Sequence, residues 1–249
     1  MKIIKKMILK ILIYFRLYPH VFFRPDPFKQ YEFKELLRGI SFSRDEVILD
    51  LGCGIGLQTL LIGKRCKKVI GIDTSDEFIR RAQYISQFTK GRINSQFWCI
   101  RIEDAQFENE YFDKIFCFSV FEHISNYLEV LTEAYRILKK DGHMIFSTDS
   151  LETIRNEEIL EKHRREHFVK KYFGKEELKT ILEGVGFKQI DIYPIFKSDF
   201  AKELFIKGIN SQFIYGFLSS IFKYLFLKYK EYQCTNENKG IFLVVKAKK

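Results

Sequence analysis

With 249 residues, the chain is long enough for one large α/β domain and an appendage. Hydrophobic residues make up 46% of the sequence, which excludes a disordered chain, and the presence of only 4 prolines excludes a long proline-rich linker. The net charge of +10 is concentrated at two places, because residues 1–18 carry five basic residues and no acid, and residues 197–232 carry six lysines against three acids. Since the rest of the chain is nearly balanced, we expect no nucleic-acid groove across the main domain.

The N-terminal region, residues 1–45, is predicted to contain an amphipathic helix and a cap. Residues 2–17 place their apolar side chains along one helical face, with lysines mostly elsewhere. Lys10 and Arg16 interrupt the apolar run, so neither a signal peptide nor a spanning helix is expected. A basic amphipathic helix of this kind either rests on an anionic membrane surface or caps an active site.

From Glu46 onwards, strands and helices alternate, which predicts a parallel sheet with helices on both faces. The helix at 75–87 has Ser75 as its expected N-cap and Phe78, Ala82 and Ile85 on one face. The predicted strands are 46–51, 68–73, 95–102, 112–119 and 143–149, and the predicted helices are 56–66, 75–87 and 127–140.

The second half of the chain is predicted to complete the sheet and to add an insertion. Residues 150–173 are polar and read as a loop or lid, and a helix at 174–187 precedes strands at 188–195 and 240–248. The segment 196–239 between these strands reads as a hydrophobic, basic helical insertion. The prediction for residues 46–249 is therefore a Rossmann-like, doubly wound sheet of seven strands, mostly parallel, with the last strand antiparallel.

Three glycines follow the first strand in the stretch ILDLGCGIGLQT, residues 48–59. Gly52, Gly54 and Gly56 would allow a sharp turn and keep Cβ atoms away from a ligand at the carboxyl end of the strand. The free N–H groups of the helix that follows would attract a negative group. A dinucleotide fingerprint requires GxGxxG, but Leu57 stands where its third glycine belongs, and no Gly-Lys-Ser or Gly-Lys-Thr follows as in a phosphate-binding loop.

The chain resembles the class I S-adenosylmethionine-dependent methyltransferases along residues 46–195 and in its final strand. VILDLGCGIGLQT (47–59) resembles their first motif, and GIDTSDEFIRRA (71–82) their second. IEDAQF (102–107), FDKIFCFSVFEHI (112–124) and RILKKDGHMIFST (136–148) are similar to later motifs in the same order. The segment 165–187 looks like the small-molecule branch of the superfamily. The resemblance implies S-adenosylmethionine as the cofactor.

The same resemblance implies a set of donor-binding residues. Asp50 and the backbone of Gly52 and Gly54 would hold the methionine amine and carboxylate. Asp73 would accept both ribose hydroxyls, and its position about 20 residues past the glycines is that of an acidic ribose ligand. Asp104 would bind the adenine amino group, although the adjoining Glu103 is an alternative, and Ser119 would line the methionine side. Cys53, Gly56 and Thr74 complete the predicted site.

His123 is the first candidate for a catalytic base. It follows the fourth strand in FEHI, where an acceptor should approach, and imidazole titrates near neutrality. The alternative is that Glu122 and His123 begin the next helix and only orient the loop. His167, in the expected lid, is the second candidate. With His163 it forms an HxxEH pattern, which we do not take as a metal site because its neighbourhood is polar and rich in arginine.

The sequence therefore predicts a methyltransferase acting on a small-molecule or lipid-linked acceptor, at oxygen, at a membrane surface. Strand four ends in SVFE, which lacks the Pro-Pro-aromatic motif suited to planar amide or amine nitrogens. The alternatives are a non-catalytic, membrane-associated protein that binds S-adenosylmethionine and a nucleotide-dependent oxidoreductase. The insertion could equally be a dimer contact or a cover over the substrate. Five cysteines without a CxxC pair suggest a reducing, cytoplasmic location. The two basic segments suggest that the protein is peripheral on the inner face of the membrane.

Overall fold

The computed structural model of the protein describes residues 26–89, 91–213, 215–235 and 238–249. The amphipathic helix predicted at residues 2–17 lies outside these ranges. Within them, seven strands form one sheet in the order β3-β2-β1-β4-β5-β7-β6, which confirms the predicted fold class. The strands are β1 (Val47–Leu51), β2 (Lys68–Asp73), β3 (Ser95–Cys99), β4 (Phe112–Phe118), β5 (Leu138–Asp149), β6 (Lys188–Ile195) and β7 (Phe242–Lys248).

The strand order reverses at β1, which pairs in parallel with β2 on one side and with β4 on the other. Asp50 of β1 lies opposite Gly71 of β2 and Phe116 of β4. The carboxyl ends of β1 and β4 thus border the crevice where doubly wound sheets bind ligands. β7 runs antiparallel to both β5 and β6, so the predicted antiparallel last strand is confirmed.

Helices cover both faces of the sheet. Phe28 and Leu36 of the first helix join one hydrophobic cluster with the helices of the insertion, whereas Leu131 and Leu182 belong to the cluster on the opposite face. The helices are α1 (Pro27–Leu37), α2 (Leu57–Gly63), α3 (Asp76–Ser86), α4 (Tyr127–Ile137), α5 (Glu157–Glu166), α6 (Lys175–Val185), α7 (Asp199–Ser211) and α8 (Phe217–Gln233).

Capping residues set several of these boundaries. The Asp26 side chain accepts hydrogen bonds from the backbone N–H groups of Phe28 and Lys29, and it begins α1. Ser75 caps α3 as predicted, accepting from the N–H of Phe78. Gly186, with φ of 114°, ends α6 in the left-handed conformation that glycine tolerates.

One local prediction is wrong in part. Residues 150–173 are not all loop, because they contain helix α5, capped by Asn156. On α3, Phe78 is 43% exposed, whereas Ile79 and Ala82 form the buried face. Within the predicted insertion, α7 ends at Ser211 and α8 begins at Phe217. No helix in the described ranges has the length and hydropathy needed to cross a bilayer.

Candidate active site

The three glycines after β1 have different structural roles. A Cβ added to Gly52 would lie 2.9 Å from Cγ1 of Val120, so this glycine allows β1 and the end of β4 to approach. A Cβ added to Gly54 would meet no atom within 4 Å, and Gly54 has φ of 52°. A Cβ added to Gly56 would lie 2.6 Å from the ring of Phe97, so the space beside Gly56 is occupied by the protein itself. Only Gly52 and Gly54 of the three line the cleft described below.

Asp50 lies at the end of β1 with only 1% of its surface exposed. The hydroxyl of Thr59 donates a hydrogen bond to its Oδ2 at 2.5 Å, whereas Oδ1 is buried without a partner among the described residues. Burial raises the pKa of Asp50 to about 7; the hydrogen bond from Thr59 opposes this effect, and the charge of Asp73 adds to it. A buried acceptor without a partner is costly, so the geometry calls for a donor at Oδ1.

Asp73 ends β2 and supports the glycine turn. Its Oδ2 accepts the backbone N–H of Gly54 at 2.8 Å, and its Oδ1 accepts the N–H of Ser75 at 2.9 Å. A carboxylate offers about four lone-pair sites, so about two remain for a ligand. Asp73 therefore holds the turn in shape while keeping acceptor capacity toward the cleft.

A cleft of about 530 Å³ opens in front of these residues. Asp73 and Thr74 line one part of it, and Ser119 and His123 line another. Of the two adjacent acids, Glu103 lines the cleft and accepts a hydrogen bond from Asn126 Nδ2 at 2.7 Å, whereas Asp104 is exposed and is not part of the lining. A smaller cavity of about 140 Å³ shares the glycine turn and adds Lys29, Asp50 and Cys53.

A buried ionic network that the sequence analysis missed holds α1 against the ends of β4 and β5. Glu32 is fully buried, and its Oε1 accepts hydrogen bonds from the hydroxyls of Ser119, at 2.5 Å, and Ser147. Lys29 Nζ lies 2.9 Å from Glu32 Oε2 and donates to Ser119 Oγ at 3.0 Å. Burial lowers the pKa of Lys29, but the charges of Glu32, Asp26 and Glu122 outweigh this and raise it overall. Ser119 itself has φ of 51°.

This network joins residues 87 to 115 positions apart, which periodicity cannot reveal. One signal was present, because Glu32 stands midway between Phe28 and Leu36 on the same apolar face of α1. An acid in the middle of a buried helical stripe requires a partner, and here the partner is Lys29, one turn earlier.

A second polar cluster lies behind the cleft at the ends of β4 and β5. Glu122, Asp149 and His163 are each less than 5% exposed. Thr148 Oγ1 donates to Glu122 Oε2 at 3.1 Å, and His163 Nε2 lies 3.7 Å from Asp149 Oδ2. Burial raises the pKa of both carboxyl groups, and the charge of Asp149 raises that of Glu122 further. We infer that the pair holds a proton near neutral pH.

The tautomer of His163 follows from its other neighbours. The Tyr172 hydroxyl donates to the backbone carbonyl of Leu160 at 3.2 Å, so it accepts from His163 Nδ1 at 3.1 Å. His163 Nε2 is then the unprotonated nitrogen that faces Asp149. Burial, together with the neighbouring His167 and His123, lowers the pKa of His163 to about 3, so the imidazole is neutral.

The two predicted catalytic histidines occupy different places. His123 lines the cleft within the short 3-10 turn Phe121–His123, four residues before α4 begins, so it does not start that helix. Burial lowers the pKa of His123, and the positive charge of Lys29 lowers it further. His167 follows α5, with its ring 4.7 Å from that of His163 and 5.6 Å from that of Phe213, and it does not line the cleft.

Comparison with known proteins identifies this architecture. Residues 49–146, which carry β1 to β5 and the glycine turn, match the family model of the methyltransferase domain. Over residues 49–146, the chain therefore carries the methyltransferase domain that its sequence motifs resemble. The resemblance noted from the sequence motifs is therefore confirmed at the level of the family.

Two curated relatives and one solved structure illustrate the similarity. The tRNA U34 carboxymethyltransferase of Sulfurovum sp. is 24% identical over 178 residues, 70% of this chain and 58% of that protein. The ubiquinone biosynthesis O-methyltransferase of Hydrogenovibrio crunogenus is 29% identical over 115 residues, 46% of this chain and 47% of that protein. This chain thus spans about half the length of the curated relatives it matches.

The solved structure shares the fold. Phosphoethanolamine N-methyltransferase 2 of Haemonchus contortus, determined in complex with S-adenosyl-L-methionine, has a TM-score of 0.67 and 17% sequence identity. The match covers 88% of this chain and 52% of that protein.

Proposed function

We propose that this chain binds S-adenosylmethionine in the cleft beside β1 and catalyses methylation of a hydroxyl group on a small-molecule or lipid-linked acceptor. One observation carries the donor assignment. The cleft and the smaller cavity beside it meet at the glycine turn, and together they bring the unpartnered Oδ1 of Asp50, the remaining acceptor sites of Asp73 and the open space at Gly54 to one place. In S-adenosylmethionine, these groups would complement the ammonium of the methionine, the vicinal diol of the ribose and the part of the molecule that must pass close to the protein backbone.

The predicted donor residues fit these roles. Asp50 Oδ1 would accept from the methionine ammonium, and Lys29, which lines the smaller cavity, would neutralise the methionine carboxylate. Asp73 would accept both ribose hydroxyls. Glu103 is better placed than Asp104 toward the adenine amino group, since only Glu103 lines the cleft. Cys53 and Thr74 border the same space, and Ser119 acts mainly by holding Lys29 in position.

The bound donor supplies a methyl group already activated by its sulfonium, so the protein must position the acceptor and exclude water. An acceptor hydroxyl must also lose a proton. His123 stands on the cleft wall, and its lowered pKa keeps the ring neutral at pH 7, ready to accept that proton. The presence of a candidate base in the cleft favours a hydroxyl acceptor, because an amine that is already unprotonated would need no base. His167 remains the second candidate, and its role would be to support the rings of His163 and Phe213 that it contacts.

The proposed acceptor is lipophilic, and the proposed location is the cytoplasm, peripheral on the inner face of the membrane. Support comes from aromatic residues between α5 and α8, where Phe205 and Phe213 pack within 5.3 Å of each other and close to the two lid histidines. The relative named for ubiquinone biosynthesis supports a lipophilic hydroxyl acceptor. The relatives named for tRNA favour nucleic acid instead, which the charge distribution of this chain does not support.

Calorimetry with S-adenosylhomocysteine and NAD, followed by transfer of labelled methyl to a lipid extract or to total tRNA, tests the proposal. We expect S-adenosylhomocysteine to bind and NAD not to bind. The label should appear in a lipid-soluble product, and this product should resist treatment with base because methylation of a hydroxyl group forms an ether. His123→Gln should keep nucleoside affinity and lose transfer. Preferential binding of NAD would indicate an oxidoreductase. Binding of S-adenosylhomocysteine without methyl transfer would indicate a non-catalytic protein, and label in tRNA would indicate a nucleic-acid acceptor. Each of these results would overturn the proposal.

A further inference from the structure

Helix α8 presents an apolar, largely aromatic face to solvent. The helix has 17 residues, and its outward positions recur every three or four residues, so they form one stripe about 25 Å long. Six large side chains on this stripe are between 46% and 90% exposed: Leu218, Phe222, Leu225, Phe226, Tyr229 and Tyr232. Surface hydrophobic residues scattered singly need no explanation, whereas a contiguous stripe marks an interaction site.

The opposite face of α8 is buried, and this determines the charge of the exposed one. Tyr224 and Leu227 face the core, and so does Glu231, the single acid of the helix. Glu231 is 4% exposed and accepts hydrogen bonds from the backbone of Lys197 at 2.9 Å and from the Ser198 hydroxyl at 2.6 Å. The exposed part of α8 therefore carries positive charge and no negative charge.

Three lysines flank the apolar stripe. Lys228 is exposed, whereas Lys223 lies over the ring of Tyr215 at 4.6 Å and Lys230 lies over the ring of Phe226 at 5.4 Å. The last two extend their aliphatic stems along aromatic surface and keep the ammonium group at its edge. This arrangement of an apolar body with a cationic rim is typical of helices that lie in a membrane interface.

Two clefts run along the base of α8, where it packs on α1. They measure about 550 and 580 Å³ and share Lys34, Arg38 and Tyr224. Two acids line these clefts. Glu35 pairs with Arg38 at 3.1 Å, and Glu231 accepts hydrogen bonds from Lys197 and Ser198. Lys34 lies over the ring of Tyr224 at 4.8 Å and forms no ion pair with a described carboxylate. The basic residues that line one or both clefts are Lys34, Arg38, Arg65, Lys197 and Lys228.

We propose that this region, the exposed stripe of α8 with its flanking lysines and the two basic clefts, docks on an anionic lipid bilayer. We call it the α8 surface. The aromatic and aliphatic side chains would enter the boundary between headgroups and acyl chains, and the basic groups would contact lipid phosphates. The inference deepens the proposed function, since it rests on a lipid-linked acceptor for its purpose, but the docking itself does not depend on the donor.

The charge distribution decides between a bilayer and a second copy of the chain. In a two-fold symmetric dimer, the same patch would meet itself, and the lysines of one copy would lie close to those of the other. Like charges at such short range are unfavourable, whereas an anionic bilayer complements all of them. The described helices cannot span a membrane, so attachment would be at the surface.

Helix α1 connects the α8 surface to the donor cleft. Near its beginning, Lys29 and Glu32 contact the end of β4, and toward its end, Lys34 and Arg38 line the basic clefts. Docking through α8 therefore engages the same helix that contributes Lys29 to the cavity beside the glycine turn.

Sedimentation of the full chain with vesicles tests the docking. We expect binding to phosphatidylcholine vesicles that contain phosphatidylglycerol and little binding to phosphatidylcholine alone. The double variant Phe222→Ser/Phe226→Ser should lower the partition coefficient about tenfold or more. Leu128→Ser removes a leucine that is 53% exposed on α4 and should leave binding unchanged. Trp98, the single tryptophan, reports on correct folding of each variant.

Charge removal provides a second, independent arm. The triple variant Lys223→Gln/Lys228→Gln/Lys230→Gln should lower binding to anionic vesicles about a hundredfold. The matched triple variant Lys175→Gln/Lys179→Gln/Lys188→Gln, on α6 and β6, should lower this binding by much less for the same change in net charge. Three results would overturn the proposal. The first is equal binding to neutral and anionic vesicles, and the second is an equal loss of binding in the two matched lysine variants. The third is a dimer, seen by light scattering, that dissociates in the phenylalanine variant.

A separate measurement keeps the two proposals apart. Affinity for S-adenosylhomocysteine should be the same in all of these variants, because none touches the donor cleft. Vesicle binding without nucleoside binding would refute the proposed function and leave the docking surface intact. Nucleoside binding without vesicle binding would refute the docking surface alone.

Discussion

Replacing Asp73 with alanine tests the donor site most directly. In the structure, its two oxygens already accept N–H groups from Gly54 and Ser75 at 2.8 and 2.9 Å, which leaves about two acceptor sites for a vicinal diol. Hydrogen bonds to a charged group contribute about 1.5–3 kcal/mol each, so losing two should cost at least about 3 kcal/mol of binding free energy. This corresponds to roughly 150-fold weaker binding of S-adenosylhomocysteine.

The same substitution has a structural cost that must be separated from the binding effect. The N–H groups of Gly54 and Ser75 lose their acceptor, so the free energy of unfolding should fall by about 1–2 kcal/mol. Asp73→Asn keeps one oxygen and should lie between the wild type and alanine in both respects.

Isothermal calorimetry of the donor product and urea unfolding measure the two quantities. Asp76→Ala is the matched control, because it removes an exposed carboxylate three residues later whose one ion pair among the described residues is with Arg80 and which does not line the cleft. Wild-type affinity in the folded Asp73→Ala variant would refute the ribose assignment. An equal loss in Asp76→Ala would show that the effect is one of general charge.

Further predictions concern the glycine turn and two histidines. Gly56→Ala should lower the free energy of unfolding by about 3 kcal/mol, because its Cβ would lie 2.6 Å from Phe97 in a left-handed backbone. Gly54→Ala should cost only about 1 kcal/mol in urea unfolding but weaken donor binding about tenfold, since its Cβ enters the cleft; the reverse order would contradict these roles. Methyl transfer should rise with pH through a pKa below 6.5 and be flat above it, as the lowered pKa of His123 requires, and a wild-type profile in His123→Gln would exclude this base. Since folding holds the pKa of His163 at about 3 instead of 6.5, its contribution to stability is present above pH 6.5 and is lost as the pH falls toward 3. His163→Gln should remove part of that acid-side loss in urea unfolding measured from pH 7 to pH 4, and an unchanged slope would contradict the buried neutral imidazole.

The sheet could be predicted from the sequence because its strands are apolar runs bounded by turn residues. β2 was placed at 68–73, as found, since Asp73 ends an uninterrupted apolar stretch. The end of α4 was placed three residues late, at 140 instead of Ile137, because the two lysines that follow fit the end of a helix as well as the start of β5. The exposure of Phe78 on α3 could not be predicted from its apolar character, because this side chain borders the cleft and not the core.

The candidate site was predictable only where it follows a strand end. Asp50 and Asp73 lie at the carboxyl ends of their strands, and Gly54 and His123 lie in the turns that follow strands, so chain order places these residues together. Lys29 could not be predicted as a site residue, because it belongs to α1 and no local sequence pattern indicates where this helix lies over the sheet. The pairing of a buried acid with a serine 87 residues away is a property of the assembled fold.

The ionic network of α1 explains how the donor cleft keeps its shape. Burying a carboxylate such as Glu32 costs several kcal/mol unless its partners are in place, so only a docked α1 brings this group into a favourable environment. Lys29 and the hydroxyl of Ser119 provide those partners, and both also border the space where the methionine end of the donor would lie. The same contacts therefore fix α1 in register and position a positive charge beside the glycine turn. Because the other end of α1 lines the clefts of the α8 surface, any shift of α8 on docking would be transmitted to this charge through one rigid helix.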